Sequence, residues 1–256
     1  MQFDELANIK NWFETYTQSF LTGCTADDGP LVLKIDHTAR VSENMRLLGQ
    51  AAHLSEDQCH AAEAIGWFHD AGRFKQYRQY RTFNDRRSVN HAALAVKIID
   101  DASLLASCAS DERQAIRDAV RFHNAPALPK NRPEASTVYM KLIRDADKLD
   151  IWKVFADFCR NGDQPEAAIV QHLSDQPTWT DAIVNAIMEG KMARFEDMQS
   201  ICDFKLLQLS WVFDLNWPES LRQARLRGDV GEIARSLPHH RTIDDVVDRV
   251  MGHLIQ

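Results

Sequence analysis

No apolar run in the 256-residue sequence continues far enough to cross a bilayer before charged residues break it, so a membrane-spanning protein is not expected. The N-terminus, Met1-Gln2-Phe3-Asp4-Glu5-Leu6, carries an early acidic pair instead of the basic-then-apolar pattern of a secretory signal. A cytoplasmic location is the resulting expectation. Cysteine is sparse: Cys24, Cys59, Cys108, Cys159 and Cys202 are odd in number, widely spaced and without a Cys-x-x-Cys pair. That excludes a disulfide framework and argues against a thiolate zinc site. Positive charge is in short supply as well, with 30 Lys and Arg against 37 Asp and Glu and a net charge of -7. Nucleic acid, which favours a broad basic surface, is therefore not an expected partner. No Gly-x-Ser-x-Gly elbow marks a nucleophilic serine, and no cysteine sits in a catalytic-thiol context.

Alternating strand patterns are nearly absent, and helical periods run throughout, so the expected fold class is all-α. At 45% hydrophobic and 26% charged residues, the composition is that of an ordinary globular protein. Phe3, Leu6, Ile9, Phe13, Tyr16 and Phe20 form one stripe, followed by an expected loop from Thr22 to Pro30, where Gly23, Gly29 and Pro30 interrupt the period. Helices are expected over about 36–53, 57–73, 89–106, 111–124 and 136–160, with a Pro-rich loop at 126–133. Beyond residue 162 further stripes follow, around Ile183 to Phe195, Phe204 to Phe213 and Ile243 to Ile255, punctuated by Pro165, Pro177, Pro218 and Pro238. No long Gly/Ser-rich linker divides the chain, so residues 1–256 are expected to form a single all-α domain with a C-terminal helical extension over about 163–256. The aromatics from Trp211 to Trp217 are expected to pack in the core, with a subunit contact as the alternative.

The most informative residues are His69 and Asp70, adjacent within the apolar segment Ala64-Ile-Gly-Trp-Phe-His-Asp-Ala-Gly-Arg73, which reads as a buried helix. A buried carboxylate costs several kcal/mol unless it is paired or bound to a metal, so a compensating cation is expected. Other His and Asp residues also fall on apolar faces. His37 is in register with Val41, Met45 and Leu48; His91 is in phase with Leu94, Ala95 and Ile98; His123 closes the stripe of Ile116, Ala119 and Val120. Asp147 stands four residues from both Ile143 and Ile151, while Asp145 is in phase with Leu142 and Leu149, so helical phase alone leaves the two aspartates as alternatives. Four inward histidines with inward aspartates are hard to satisfy one at a time by carbonyls, and a shared centre is the simpler account. His53, His60, His172, His239, His240 and His253 show no such grouping and read as surface or packing residues.

These elements resemble the HD-domain superfamily of metal-dependent phosphohydrolases over about residues 30–155: Asp36-His37-Thr38, then Phe68-His69-Asp70-Ala71-Gly72-Arg73, then Ala146-Asp147-Lys148-Leu149. Asn90-His91-Ala92 and Arg121-Phe122-His123-Asn124 are similar to the extra histidine positions of members that hold two ions. The resemblance implies an HD helical bundle and six metal ligands, His37, His69, Asp70, His91, His123 and Asp147, with Asp70 bridging two ions. It favours Asp147 over Asp145 as the last ligand and leaves Asp145 as a supporting residue. The residues after His123, Asn124-Ala-Pro-Ala-Leu-Pro129, lack the Gly-Tyr-Pro signature of the cyclic-di-GMP branch. Position 73 is Arg where nucleotidase members often carry an acid, so Arg73 is expected to clamp phosphate beside Asp70 in a catalytic role.

Imidazole-rich donors suit divalent Mn, Fe, Co, Ni or Zn better than Ca or Mg, and two such ions are expected. The implied activity is phosphohydrolysis of a small phosphorylated substrate, a nucleotide or related phosphoester, by a metal-activated hydroxide. The segment Arg73 to Arg87 has basic residues at 73, 75, 78, 81, 86 and 87 against Asp85 alone. Arg73, Lys75, Arg78 and Arg81, with Lys148, are accordingly the expected substrate contacts, and Tyr77, Tyr80 and Phe83 could stack on a base or cover the pocket. An alternative is a mixed-valent di-iron oxygenase acting on an anionic small molecule, which some six-ligand relatives resemble. The expected partners are a small phosphorylated molecule and, as an open option, a second copy of the chain.

Overall fold

The computed structural model of the chain describes residues 1–161 and 173–255. Pro165 and His172 lie outside the described residues, as does the expected start of the extension near 163. The fold is all-α, with no strand among the described residues. The helices in chain order are α1 (Phe3–Gln18), α2 (Thr25–Ala51), α3 (Glu56–His69), α4 (Ala71–Tyr80), α5 (His91–Asp101), α6 (Ser110–Phe122), α7 (Glu134–Asn161), α8 (Asp181–Met188), α9 (Ile201–Ser210), α10 (Pro218–Arg227), α11 (Asp229–Arg235) and α12 (Arg241–Ile255). No helix among them is long and apolar enough to cross a membrane.

Two compact units are present, Met1–Asp147 and Lys148–Gln256. The boundary falls within α7. In the first unit the stripes seen in the sequence become its interior: Ile9 and Phe13 of α1, Leu31, Val41, Met45 and Leu48 of α2, Ile65 and Phe68 of α3, and Ile116 and Val120 of α6 are all buried. Burying each such side chain contributes roughly 1.5–3 kcal/mol before entropic costs. In the second unit Trp152, Leu206, Leu209, Val212, Ile233 and Val246 play the same part, and the Trp152 indole N–H donates to the Gln208 carbonyl at 2.9 Å. Trp211 is half-buried and tilts against Trp152 with ring centroids 6.3 Å apart.

Local signals explain most helix ends. Ser55 opens α3 by accepting from the Gln58 amide, while the Gln58 side chain returns to the Ser55 N–H, so two otherwise orphaned donors are satisfied. The expected loop at Thr22 to Pro30 is a correction: α2 already starts at Thr25 and Pro30 lies inside it. Pro30 sacrifices one helical hydrogen bond close to the helix start. Asp28 offsets this, accepting the Thr22 and Gly23 amides at 2.8 Å each and a contact of 2.5 Å from Arg78. A second correction concerns the helix expected over 57–73. It breaks at Asp70, whose φ of -103° and ψ of 10° end α3 and start α4.

Two glycines beside that break allow helices to approach more closely than a side chain permits. A Cβ on Gly66 would stand 2.5 Å from Ser42 Cα, and one on Gly72 would stand 2.2 Å from the His91 carbonyl oxygen. The backbone of α3 thus rests directly on α2, which carries His37, and that of α4 on the start of α5, which carries His91.

Candidate metal centre

All six histidines and aspartates singled out in the sequence belong to the first unit, and their side chains converge. His37 is on α2, His69 is the last residue of α3, Asp70 is the joint before α4, His91 opens α5, His123 caps the end of α6, and Asp147 lies on α7. The four histidines and Asp70 are buried, each at most 5% exposed.

The donors form two groups that share Asp70. In the first, His37 Nε2 lies 3.2 Å from Asp147 Oδ1, 3.3 Å from His69 Nε2 and 3.6 Å from Asp70 Oδ2. His69 Nε2 completes it at 3.7 Å from Asp70 Oδ2 and 3.9 Å from Asp147 Oδ1. In the second, His91 Nε2 lies 3.0 Å from His123 Nε2 and 3.3 Å from Asp70 Oδ1, with His123 Nε2 3.9 Å from the same oxygen. The carboxylate of Asp70 therefore turns one oxygen to each group. Donors bound to one ion at about 2.0–2.2 Å sit roughly 3–4 Å from each other, so both sets of spacings fit a metal. His37, His69 and Asp70 on one side, and Asp70, His91 and His123 on the other, could each hold a divalent ion.

Protonation points the same way. His69 Nδ1 donates to the Gly66 carbonyl at 2.7 Å, His123 Nδ1 donates to the Val120 carbonyl at 2.8 Å, and His91 Nδ1 donates to Asp85 Oδ2 at 2.7 Å. With the proton on Nδ1 in each ring, every Nε2 presents a bare lone pair. Burial drives all three imidazoles toward the neutral form: His69 is lowered, His91 falls to about 3 by burial and then by the Arg73 charge, and His123 falls to about 4 by burial and then by His69. Lone pairs only 3.0 Å apart, on His91 and His123, repel each other. A cation between them and Asp70 removes that repulsion, and no proton is placed to do so.

The carboxylates are held ionised. Burial alone would raise Asp70, but Lys34, His69, Arg73 and His91 bring it well below the usual carboxylate range. Burial likewise opposes the ionised form of Asp147, and the hydrogen bond and charge of His37 outweigh it. Asp85, against burial, is lowered to about 2 by His91 and Arg73. Asp145, the alternative to Asp147, is also fully buried.

The expected substrate contacts are distributed differently. Arg73 lies beside Asp70, with Nε 3.4 Å from Oδ1, and its other end is committed to Asp85 Oδ1 at 2.9 Å, Gln76 Oε1 at 2.8 Å and the Phe83 carbonyl at 2.6 Å. Arg78 meets Asp28 and the Phe20 carbonyl, and Arg81 meets Asp27 at 3.1 Å. Lys75 is exposed on α4. Lys148, in the second unit, meets Asp214 at 2.5 Å. Of the aromatics, Tyr80 is exposed, while buried Tyr77 faces Phe83 with ring centroids 5.0 Å apart.

Two residues of this centre were not singled out in the sequence. Asp85 orients His91 and also accepts from Asn124 at 2.9 Å and Gln76 at 2.8 Å. Its signal was its isolation as the one acid in a basic run. Lys34 donates to Asp70 Oδ2 at 2.7 Å, and its signal was its place one turn before His37 on the same face of α2.

No curated protein and no solved structure gives a significant match to the chain. Residues 35–152, however, match the family model described as HD domain, a stretch that contains all six donors. That match lies on these converging imidazoles and carboxylates, so residues 35–152 are similar to the HD domain, whose superfamily is of the metal-dependent hydrolase type.

Proposed function

We propose that the chain is a metal-dependent phosphohydrolase acting on a small phosphorylated molecule, a nucleotide or related phosphoester. The observation that carries this reading is the pair of donor groups sharing Asp70, in which each Nε2 whose tautomer is fixed points its lone pair into the gap. His37, His69, Asp70 and Asp147 would hold one divalent ion, and Asp70, His91 and His123 a second. Bound there, a pair of divalent ions supplies Lewis acidity toward a phosphoryl oxygen and lowers the pKa of a water to near neutrality.

The protein's own contribution is preorganisation. The Gly66 and Val120 carbonyls and the Asp85 carboxylate fix the ring orientation and basicity of His69, His123 and His91, a support typically worth 10–100-fold in metal affinity. Arg73 couples the two layers by touching both Asp70 and Asp85. Lys34 and Arg73 beside Asp70, together with divalent ions held there, would supply the positive charge that a compact anion needs within a chain of net charge -7. Tyr77 and Phe83 form an aromatic wall next to those cations that suits a nucleobase.

Purified protein loaded separately with Mn, Fe, Co, Ni and Zn, then assayed against a panel of nucleotides and a chromogenic phosphate ester, tests this. Release of inorganic phosphate with at least one ion is expected. Inactivity with all of them, joined to an oxygen-reactive mixed-valent signal from the iron form, would replace hydrolysis by oxygenation of an anionic substrate.

A further inference from the structure

Lys34 occupies an unusual place for a lysine. Its ammonium donates to Oδ2 of Asp70 at 2.7 Å, the same oxygen that faces His37 at 3.6 Å and His69 at 3.7 Å. The ammonium and an ion held by the first donor group would thus share one oxygen. A divalent ion repels a nearby ammonium twice as strongly as a second ammonium would, and the site is buried, so screening by water is weak. Arg73 touches the other oxygen and is tied at its far end to Asp85, Gln76 and the Phe83 carbonyl, so it is fixed in place. Among the described residues Lys34 has no such second anchor. Its other neighbour is the Phe83 ring, 5.7 Å from Nζ, and its side chain is 19% exposed. A four-carbon stem with a single polar contact can swing where a forked, four-point guanidinium cannot.

We propose that Lys34 is exchanged on metal loading: its ammonium yields Oδ2 of Asp70 to the ion and turns toward solvent to hold the anionic group of the substrate. In the metal-free protein Lys34 is then a stand-in for a positive charge beside Oδ2 of Asp70. In the loaded protein it is a positioning residue for an oxyanion next to the ions. The identity of that anion as a phosphoryl group rests on the phosphohydrolase reading above; the displacement from Asp70 does not.

The test compares wild type with Lys34→Met and Lys34→Arg. Manganese is titrated into the metal-stripped proteins, and inorganic phosphate into the loaded ones, by calorimetry. With no ammonium to displace, Lys34→Met binds its first manganese about tenfold more tightly and phosphate about tenfold more weakly, while Lys34→Arg returns phosphate affinity to within about threefold of wild type. Thermal melting of the stripped proteins identifies a misfolded variant, in which case Lys34→Gln replaces Lys34→Met. Unchanged or weaker manganese binding, or phosphate affinity insensitive to position 34, overturns the exchange. If both affinities shift as stated but no phosphoester is turned over, the exchange stands and hydrolysis fails. If phosphoesters are turned over with KM unaltered in Lys34→Met, the exchange fails and hydrolysis stands.

Discussion

The two halves of the centre are built to different plans. His37, His69 and Asp147 belong to the first, with one oxygen each of Asp70 and Asp147 within 3.9 Å of His69 Nε2. The second has His91, His123 and the remaining oxygen of Asp70. If Asp147 joins the first set as proposed, that set would offer four donors against three in the second, a fuller shell for one ion than for the other. Support differs too. The first half rests on long helices, α2 and α7, and on the close contact of Gly66 with Ser42. The second hangs on Asp85, part of a 3₁₀ turn at Asp85–Arg87 in a connecting segment, and on the first residue of α5. If two ions bind as proposed, tighter binding is expected in the first half and more adjustability in the second.

Because Asp70 is the only donor that both halves share among the described residues, its removal is the most damaging change. Asp70→Asn keeps the shape but halves the anionic donors of the centre. Manganese stoichiometry after loading and desalting is expected to fall from two to below one, with hydrolysis reduced by at least about 10³-fold. Retention of two ions in this variant would dissolve the comparison altogether.

The next largest effect separates the halves. His37→Ala, in the four-donor set, is expected to lose the tighter ion, while His123→Ala loses only the weaker one and retains a stoichiometry of one. Both variants lose activity by about 10²-fold or more, so metal counting and not turnover is the discriminating readout. Should His123→Ala release both ions, the two sets are cooperative and the tight-and-adjustable division fails.

Asp85→Asn probes the support of the second half alone. Its carboxylate orients His91 and holds Arg73, and replacing it by an amide weakens the Nδ1 contact without emptying the space. A loss of 10–100-fold in affinity for the second ion is expected, with the first unaffected, as read from a two-site manganese titration. An equal loss at both sites would show that Arg73 transmits the change to Asp70.

Much of this was legible from periodicity. The apolar stripes through His37, His91 and His123 are interior in the structure because a side chain's face is set by 3.6-residue geometry, which sequence displays directly. The choice between Asp145 and Asp147 could not be read in that way, since both positions face inward on a mostly buried stretch of α7, and the motif carried what the phase could not. The break at Asp70 was hidden because Ala71 and Phe74 continue an apolar pattern, and nothing local to Asp70 announces a change of direction. Its cause is tertiary, in the backbone of Gly72 lying against His91. The basic run misled for a related reason. Charge along a chain shows how many cations are present, but Asp27 and Asp28, some fifty residues away, decide that Arg81 and Arg78 are engaged with α2. Lys34 escaped notice because its partner lies 36 residues on, across the α2–α3 contact.

The smallest predicted effect concerns acid stability of the metal-free protein, to which the imidazoles of both halves contribute. His123 titrates at about 4 when folded and near its ordinary 6.5 when unfolded, so between those values the unfolded chain binds the extra proton. Stability is therefore fully present above about pH 6.5 and falls as pH drops toward 4, with a slope approaching about 1.4 kcal/mol per pH unit for this one imidazole. His91, lowered to about 3, adds a second such slope over a wider range. Asp85, at about 2 against 3.8, adds to the loss only below about pH 4. Urea unfolding of the stripped protein at pH 7, 6, 5 and 4.5 measures the total. His123→Gln, which cannot titrate, is expected to remove one proton's share of the slope between pH 6 and 4.5, while Asp85→Asn leaves that interval almost unchanged apart from its indirect effect through His91. An identical slope in wild type and His123→Gln would mean that the second half takes up a proton in the folded state, and its lone pairs would then not be waiting for a metal.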